Sequence, residues 1–114
     1  MAAAAAIARI VAAAHAALPE QEPDLEITLE VNPSTTERAR LPAFRDAGVN
    51  RLSIGVQSFD DAMLKRLGRA HRAAECDATL AAARAAGFDN ISLDLLFAGP
   101  GQSLAAQAAD IDAL

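Results

Sequence analysis

Two stretches of this chain are written to the same plan. "AGVNRLSI" (residues 47–54) and "AGFDNISL" (86–93) each pass from a helix end through a glycine, an apolar residue and two loop residues into the start of a strand. A chain that repeats a helix-to-strand junction feeds each strand into a sheet from the same end, which calls for parallel strands joined by right-handed crossovers. Any βα protein tends to write its junctions this way, so the repeat speaks to fold class and says little about activity.

The rest of the chain fits that plan. "LEITLEVN" (25–32) alternates strictly, with Leu25, Ile27, Leu29 and Val31 on one face and Glu26, Thr28, Glu30 and Asn32 on the other. Pro33 stops this strand, and Ser34 with Glu37 has capping-box spacing for a helix to about Ala47, which Gly48 ends. A second strand is expected at 51–57. Ser58, Asp60 and Asp61 suit the start of a short helix 60–67 that Gly68 interrupts, and an Ala-rich helix 72–86 ends at Gly87. "NISLDLLFA" (90–98) is the third strand, followed by the turn "GPGQS" and a helix from near Ser103 to the end. The opening "MAAAAAIARIVAAAHAALPE" lacks the basic start of a signal peptide, and Arg9 and His15 interrupt its apolar run. It reads as an Ala-rich helix ending before Pro19, too short and polar to span a bilayer, with "PEQEPD" (19–24) as a short connection. The order α-β-α-β-α-α-β-α defines an α/β fold in a single unit, residues 1–114.

Charge and cysteine content narrow the partners. A net charge of −5 with no tyrosine or tryptophan gives no support to a nucleic-acid surface, which needs clustered cations and stacking aromatics. The single Cys76 forms no internal disulfide and reads as a small helix residue, compatible with a reducing, intracellular compartment. No second metal-ligating residue type stands three or four positions from His15, so it reads as a partly exposed helix residue rather than a metal ligand.

The three strands carry the functional signal. Leu25, Ile27, Leu29 and Val31, then Leu52, Ile54 and Val56, then Ile91, Leu93 and Leu95 form the face expected under the helices. The opposite phase carries Glu26, Thr28 and Glu30, then Ser53, Gly55 and Gln57, then Ser92, Asp94 and Leu96. A sheet covered on both faces normally fills that phase with Val, Ile or Leu. Small residues below and Glu30, Gln57 or Asp94 near each strand's C-terminal end describe a cavity with a polar mouth, as at the rim of a βα barrel or the crevice of an open α/β sheet. One such residue alone would be read as a helix cap or an arginine partner; three in phase point to a ligand site. A glutamine buried without partners costs about 1–3 kcal/mol, so Gln57 in particular calls for a reason.

Between the short and long helices, "LGRAH" places Arg69 where it can cross the top of the sheet, to pair with a ligand carboxylate or with Glu75 or Asp61. His71 is expected as a solvated loop histidine. "GPGQS" (99–103) matches neither a Walker loop nor a dinucleotide fingerprint and reads as a turn.

Taken together, "EITLEVNPST", "AGVNRLSIGVQSFDDAMLKRLGRAHR" and "AAGFDNISLDLLFAGPGQS" resemble the oxygen-independent coproporphyrinogen III oxidase group of radical S-adenosylmethionine (SAM) proteins, over roughly residues 25–114. Within the group "GVQSFDD…LGRAH" is more similar to the heme chaperone branch, HemW, since the oxidase tends to have an aspartate after the Gln and a glutamine where His71 stands. The resemblance implies a partial (βα) barrel of radical SAM type, with SAM across the strand ends beside a [4Fe-4S] cluster, and porphyrinogen or heme as partner, in the cytoplasm. It implies that Glu30, Gln57, Arg69 and Asp94 contact SAM, Arg69 through the ligand carboxylate and the others through ammonium and hydroxyl groups. In the oxidase the chemistry is oxidative decarboxylation of porphyrinogen propionates; in the chaperone the output is heme delivery. The remaining alternative is an unrelated partial α/β domain whose polar strand ends are structural.

The departures from the family pattern carry expectations too. The family's CxxxCxxC cluster loop does not occur here, and thiolates are the usual ligands of Fe–S clusters, so the chain is expected to be an interior fragment of a single radical SAM core domain and not to cleave SAM by itself. "LLFAGPGQ" carries Gly99 where the family has Leu or Val, which is expected to loosen that turn.

Overall fold

The computed structural model describes residues 2–18 and 25–114; the "PEQEPD" connection lies outside them. Helix α1 (Ala2–Ala17) precedes β1 (Thr28–Val31), α2 (Thr35–Asp46), β2 (Arg51–Gln57), α3 (Asp61–Arg66), α4 (Ala73–Ala85), β3 (Asn90–Leu95) and α5 (Leu104–Asp112). This is the expected element order.

The repeated junction is a Schellman stop. At the end of α2 the Gly48 amide donates to the Arg45 carbonyl (3.1 Å) and the Val49 amide to Phe44 (3.2 Å), with Gly48 at φ +107°. At the end of α4 Gly87 donates to Arg84 (3.0 Å) and Phe88 to Ala83 (3.1 Å), with Gly87 at φ +93°. Both glycines take the left-handed conformation that L side chains rarely adopt, and the residue after each glycine drops into the core: Val49 and Phe88 are almost fully buried.

The strands form one parallel sheet in the order β1-β2-β3. Leu29 aligns with Leu52 and Ile91, and Val31 with Ile54 and Leu93. This row meets Leu41 and Phe44 of α2 and Cys76 and Ala83 of α4 in a single core. Glu37 and Ser34 cap α2 as expected: the Glu37 amide donates to Ser34 Oγ (3.2 Å), and the Glu37 carboxylate reaches past the cap to the Asn32 amide.

Two strands are shorter than their patterns, for local reasons. The Asn50 side chain accepts from the Ile27 amide (2.7 Å) and donates to the Leu25 carbonyl (2.8 Å), so an amide side chain stands in for a ladder partner before Thr28. β3 stops at Leu95; the Leu96 amide still donates to the Gln57 carbonyl (2.9 Å), and Ala98 at φ +56° turns the chain away.

Phe88 follows the α4 stop and is 1 % exposed, with the Arg45 guanidinium 5.7 Å from its ring centroid. Phe88→Ala is expected to lower the unfolding free energy by about 3–5 kcal/mol, read from urea denaturation of the full-length protein. A loss under about 1 kcal/mol would mean that the helix stop does not anchor the core.

Candidate functional site

On the other face of the sheet the register stacks polar and small residues. Glu30 aligns with Ser53 and Ser92, and Gly55 with Asp94. Arg51 spans the lower part of this face, 4.0 Å from Glu26 and donating to Ser92 Oγ (3.0 Å). Toward the C-terminal ends of the strands a cavity of about 350 Å³ opens, and Glu30, Gln57, Arg69 and Asp94 all line it, together with Asn32 and Ser53. Asp94 accepts a hydrogen bond from the Ser53 hydroxyl.

Gln57 reaches the cavity through an unusual backbone. It sits at φ +67°, and the Ser58 amide donates to the Val56 carbonyl two residues back (2.9 Å). This is the hydrogen bond and φ of a γ-turn of the rare, strained hand. The turn coincides with a slip in the ladder, where Gln57 rather than Val56 comes opposite Leu95. Gly55 makes room for the result: a Cβ there would lie 3.1 Å from Gln57 Nε2, 3.6 Å from Asn32 Oδ1 and 3.7 Å from Arg69 Nη2. Gln57 is partly buried at the cavity, and among the described residues no buried side-chain nitrogen or oxygen lacks a partner, so the cost of an unpaired buried glutamine does not arise.

A third Schellman stop delivers Arg69. Gly68 donates to Lys65 (3.1 Å) and Arg69 to Leu64 (2.9 Å), which throws the Arg69 side chain toward the sheet. Its Nη2 donates to Asn32 Oδ1 (2.6 Å). The two acids that might have claimed it are engaged elsewhere. Asp61 accepts from the Ala73 amide (2.8 Å) and Arg72 (3.3 Å), and the Ala73 N–H with Arg72 beside it holds that carboxyl below its usual range. Glu75 accepts from the Arg72 amide (2.9 Å). Among the described residues Arg69 therefore meets no carboxylate and keeps its charge for the cavity.

The expectation of a solvated His71 is corrected. It is 7 % exposed, and its Nε2 lies 3.0 Å from the Val56 carbonyl, so the ring N–H donates into the base of the Gln57 turn. The expected looseness at Gly99 is also absent: a Cβ there would lie 2.9 Å from Met63 Sδ, so the methionine already fills the space. Asp110 escaped the sequence reading altogether, because a lone acid on an Ala-rich helix carries no pattern. It is buried, and accepts from Ser58 Oγ (2.7 Å), the Phe59 amide (2.8 Å) and Gln102 Nε2 (3.3 Å).

Cys76 lies in the core, where burial first, then the charges of Asp77, Glu75 and Asp61, push its thiol up to about 11. A neutral, buried thiol is neither nucleophile nor ligand. Among the described residues no three His, Cys, Asp or Glu side chains gather as a metal site. Cys76 is expected to resist iodoacetamide at pH 8 in the native protein and to react on denaturation, as site-resolved mass spectrometry would read. Rapid native labelling would contradict the packing. Because the folded thiol titrates above the unfolded one, its contribution to stability is complete below pH 9 and is lost as pH rises toward about 11.

Comparison with known proteins places this geometry. Residues 2–112 match the radical SAM superfamily model. The heme chaperone HemW of Escherichia coli is 46 % identical over 88 residues, 77 % of this chain and 23 % of that protein. The mouse mitochondrial radical S-adenosyl methionine domain-containing protein 1 is 51 % identical over 81 residues, 71 % of this chain and 18 % of that protein. The structure of E. coli coproporphyrinogen III oxidase (HemN), a radical SAM enzyme, superposes with a TM-score of 0.81 at 30 % identity, covering 96 % of this chain and 25 % of that one. The chain thus spans about a fifth of the length of the curated relatives it matches. The three parallel strands, their helices and the matched residues show that this chain belongs to the radical SAM superfamily and corresponds to a stretch of a HemN/HemW-type member.

Proposed function

We propose that this chain supplies part of the SAM site of a HemN/HemW-type radical SAM protein acting in porphyrin or heme metabolism. The observation that carries the reading is the convergence of Glu30, Gln57, Arg69 and Asp94 on one cavity from three strands and a loop. Their chemistry fits the ligand. SAM carries an α-carboxylate, an α-ammonium, a sulfonium and ribose hydroxyls; the site offers one guanidinium with no carboxylate partner among the described residues, two carboxylates and two primary amides, Asn32 and Gln57. Arg69, steadied by Asn32, is suited to the α-carboxylate through a charge-assisted pair. Glu30 and Asp94 suit the ammonium and hydroxyl groups, and Gly55, which has no Cβ, leaves room for the Gln57 amide, Asn32 and Arg69 to meet over the sheet at the cavity.

When bound beside a reduced [4Fe-4S] cluster, SAM supplies radical chemistry to members of this superfamily. The residues of this chain do not fit the cluster itself, since Cys76 is a neutral core thiol. The role assigned to this chain is therefore to bind and orient SAM.

For the whole protein, identity to HemW heme chaperones favours heme binding and delivery. The close superposition on HemN supports a second reading, oxidation of coproporphyrinogen. No helix among the described residues is long and apolar enough to cross a membrane.

In the full-length protein Gln57→Ala and Asp94→Ala are each expected to weaken SAM binding about tenfold by calorimetry with iron content unchanged. Unchanged affinity in both would remove the site assignment. Heme transfer without coproporphyrinogen turnover would decide for the chaperone; turnover would decide for the oxidase.

A further inference from the structure

Helix α5 presents an odd face to the rest of the molecule. Its one buried residue is a carboxylate, Asp110, 3 % exposed. An apolar side chain at that position would cover the same surface without the cost of desolvating a charge. The carboxylate is compensated by three donors, and two of them belong to the residues that directly follow Gln57. Oδ2 accepts from the fully buried Ser58 hydroxyl (2.7 Å) and from Gln102 (3.3 Å), while Oδ1 accepts from the Phe59 amide (2.8 Å). The same Ser58 oxygen accepts from the Asp60 amide (3.0 Å), which ties the α3 start to the pair.

Gln57 is the residue that needs this support. At φ +67° it holds a conformation that an L side chain leaves readily, and the ladder has already slipped opposite it. Val56 ahead of it is held by His71, and Ser58 and Phe59 behind it by Asp110. We infer that Asp110 is a positioning residue: through Ser58 and Phe59 it locks the turn that aims the Gln57 amide over Gly55 and into the cavity. Without the carboxylate the turn relaxes toward ordinary extended backbone, and the amide leaves the ligand. This inference rests on Gln57 contacting SAM, as proposed above.

A double-mutant cycle in the full-length protein, read as SAM affinity by calorimetry under anaerobic conditions, tests it. Asp110→Ala is expected to weaken binding about tenfold in the wild-type background and less than about twofold once Gln57→Ala is present. Asp110→Asn, which keeps an acceptor for the Phe59 amide, is expected to fall between. Should Asp110→Ala fail to fold, Ser58→Ala enters the same cycle, since it removes one bond of the carboxylate and leaves the other two. An equal loss in both backgrounds would overturn the inference, because Asp110 would then act on the fold at large. Full affinity on loss of Asp110, with Gln57→Ala still weak, would overturn it alone. Full affinity in Gln57→Ala would remove the SAM contact itself, and the inference with it.

Discussion

Strand β2 is paired on both edges, and the rest of the structure depends on its two faces remaining unlike. Leu52, Ile54 and Val56 have no exposure, while Ser53 and Gly55 between them face the cavity. Because side chains alternate along a strand, a slip of one residue would exchange the two sets, burying hydroxyls under α2 and α4 and filling the cavity with Leu and Ile. The core and the site are therefore two consequences of one register, and neither can be altered in β2 without disturbing the other.

The register is reset once, and at the functional end. Regular pairing runs from Arg51 to Gly55 opposite Asn90 to Asp94, then Val56 becomes the extra residue and Gln57 turns left-handed. Contacts from three separate places converge there: His71 from the α3–α4 connection, Leu96 from beyond β3, and Asp110 from α5. A strained turn persists only where its surroundings over-determine it, and these do.

Helix ends do more here than terminate helices. The same Schellman geometry recurs after α2, α3 and α4. Twice it drops an apolar residue, Val49 or Phe88, into the core; after α3 it presents Arg69 to the cavity instead. One backbone device thus feeds the core or the cavity according to the residue that follows the glycine. The outcome is a cavity lined by one guanidinium, which donates to Asn32, and by two carboxylates, of which Asp94 accepts from Ser53.

The element order, the parallel sheet and the polar phase were legible in the sequence, because strand alternation, capping spacing and glycine stops are local rules that act within a few residues. Glu30 and Asp94 could be placed on one rim for the same reason, since their position in phase fixes which face they share; Gln57 was placed there by the same rule but reaches the cavity through a left-handed turn and a slipped register that the alternation does not encode. The chain by itself left Arg69 between a ligand and two acids, and it expected His71 in solvent. Only the tertiary structure separates Arg69 from the two acids and withdraws His71 from solvent, since Asp61 and Glu75 are taken by the start of α4 and Val56 offers His71 a carbonyl fifteen residues away. Asp110 lies further still from local rules. Its partners Ser58 and Phe59 are 52 and 51 residues earlier in the chain, and a contact that depends on where α5 returns to the sheet leaves no periodic trace in the residues that make it.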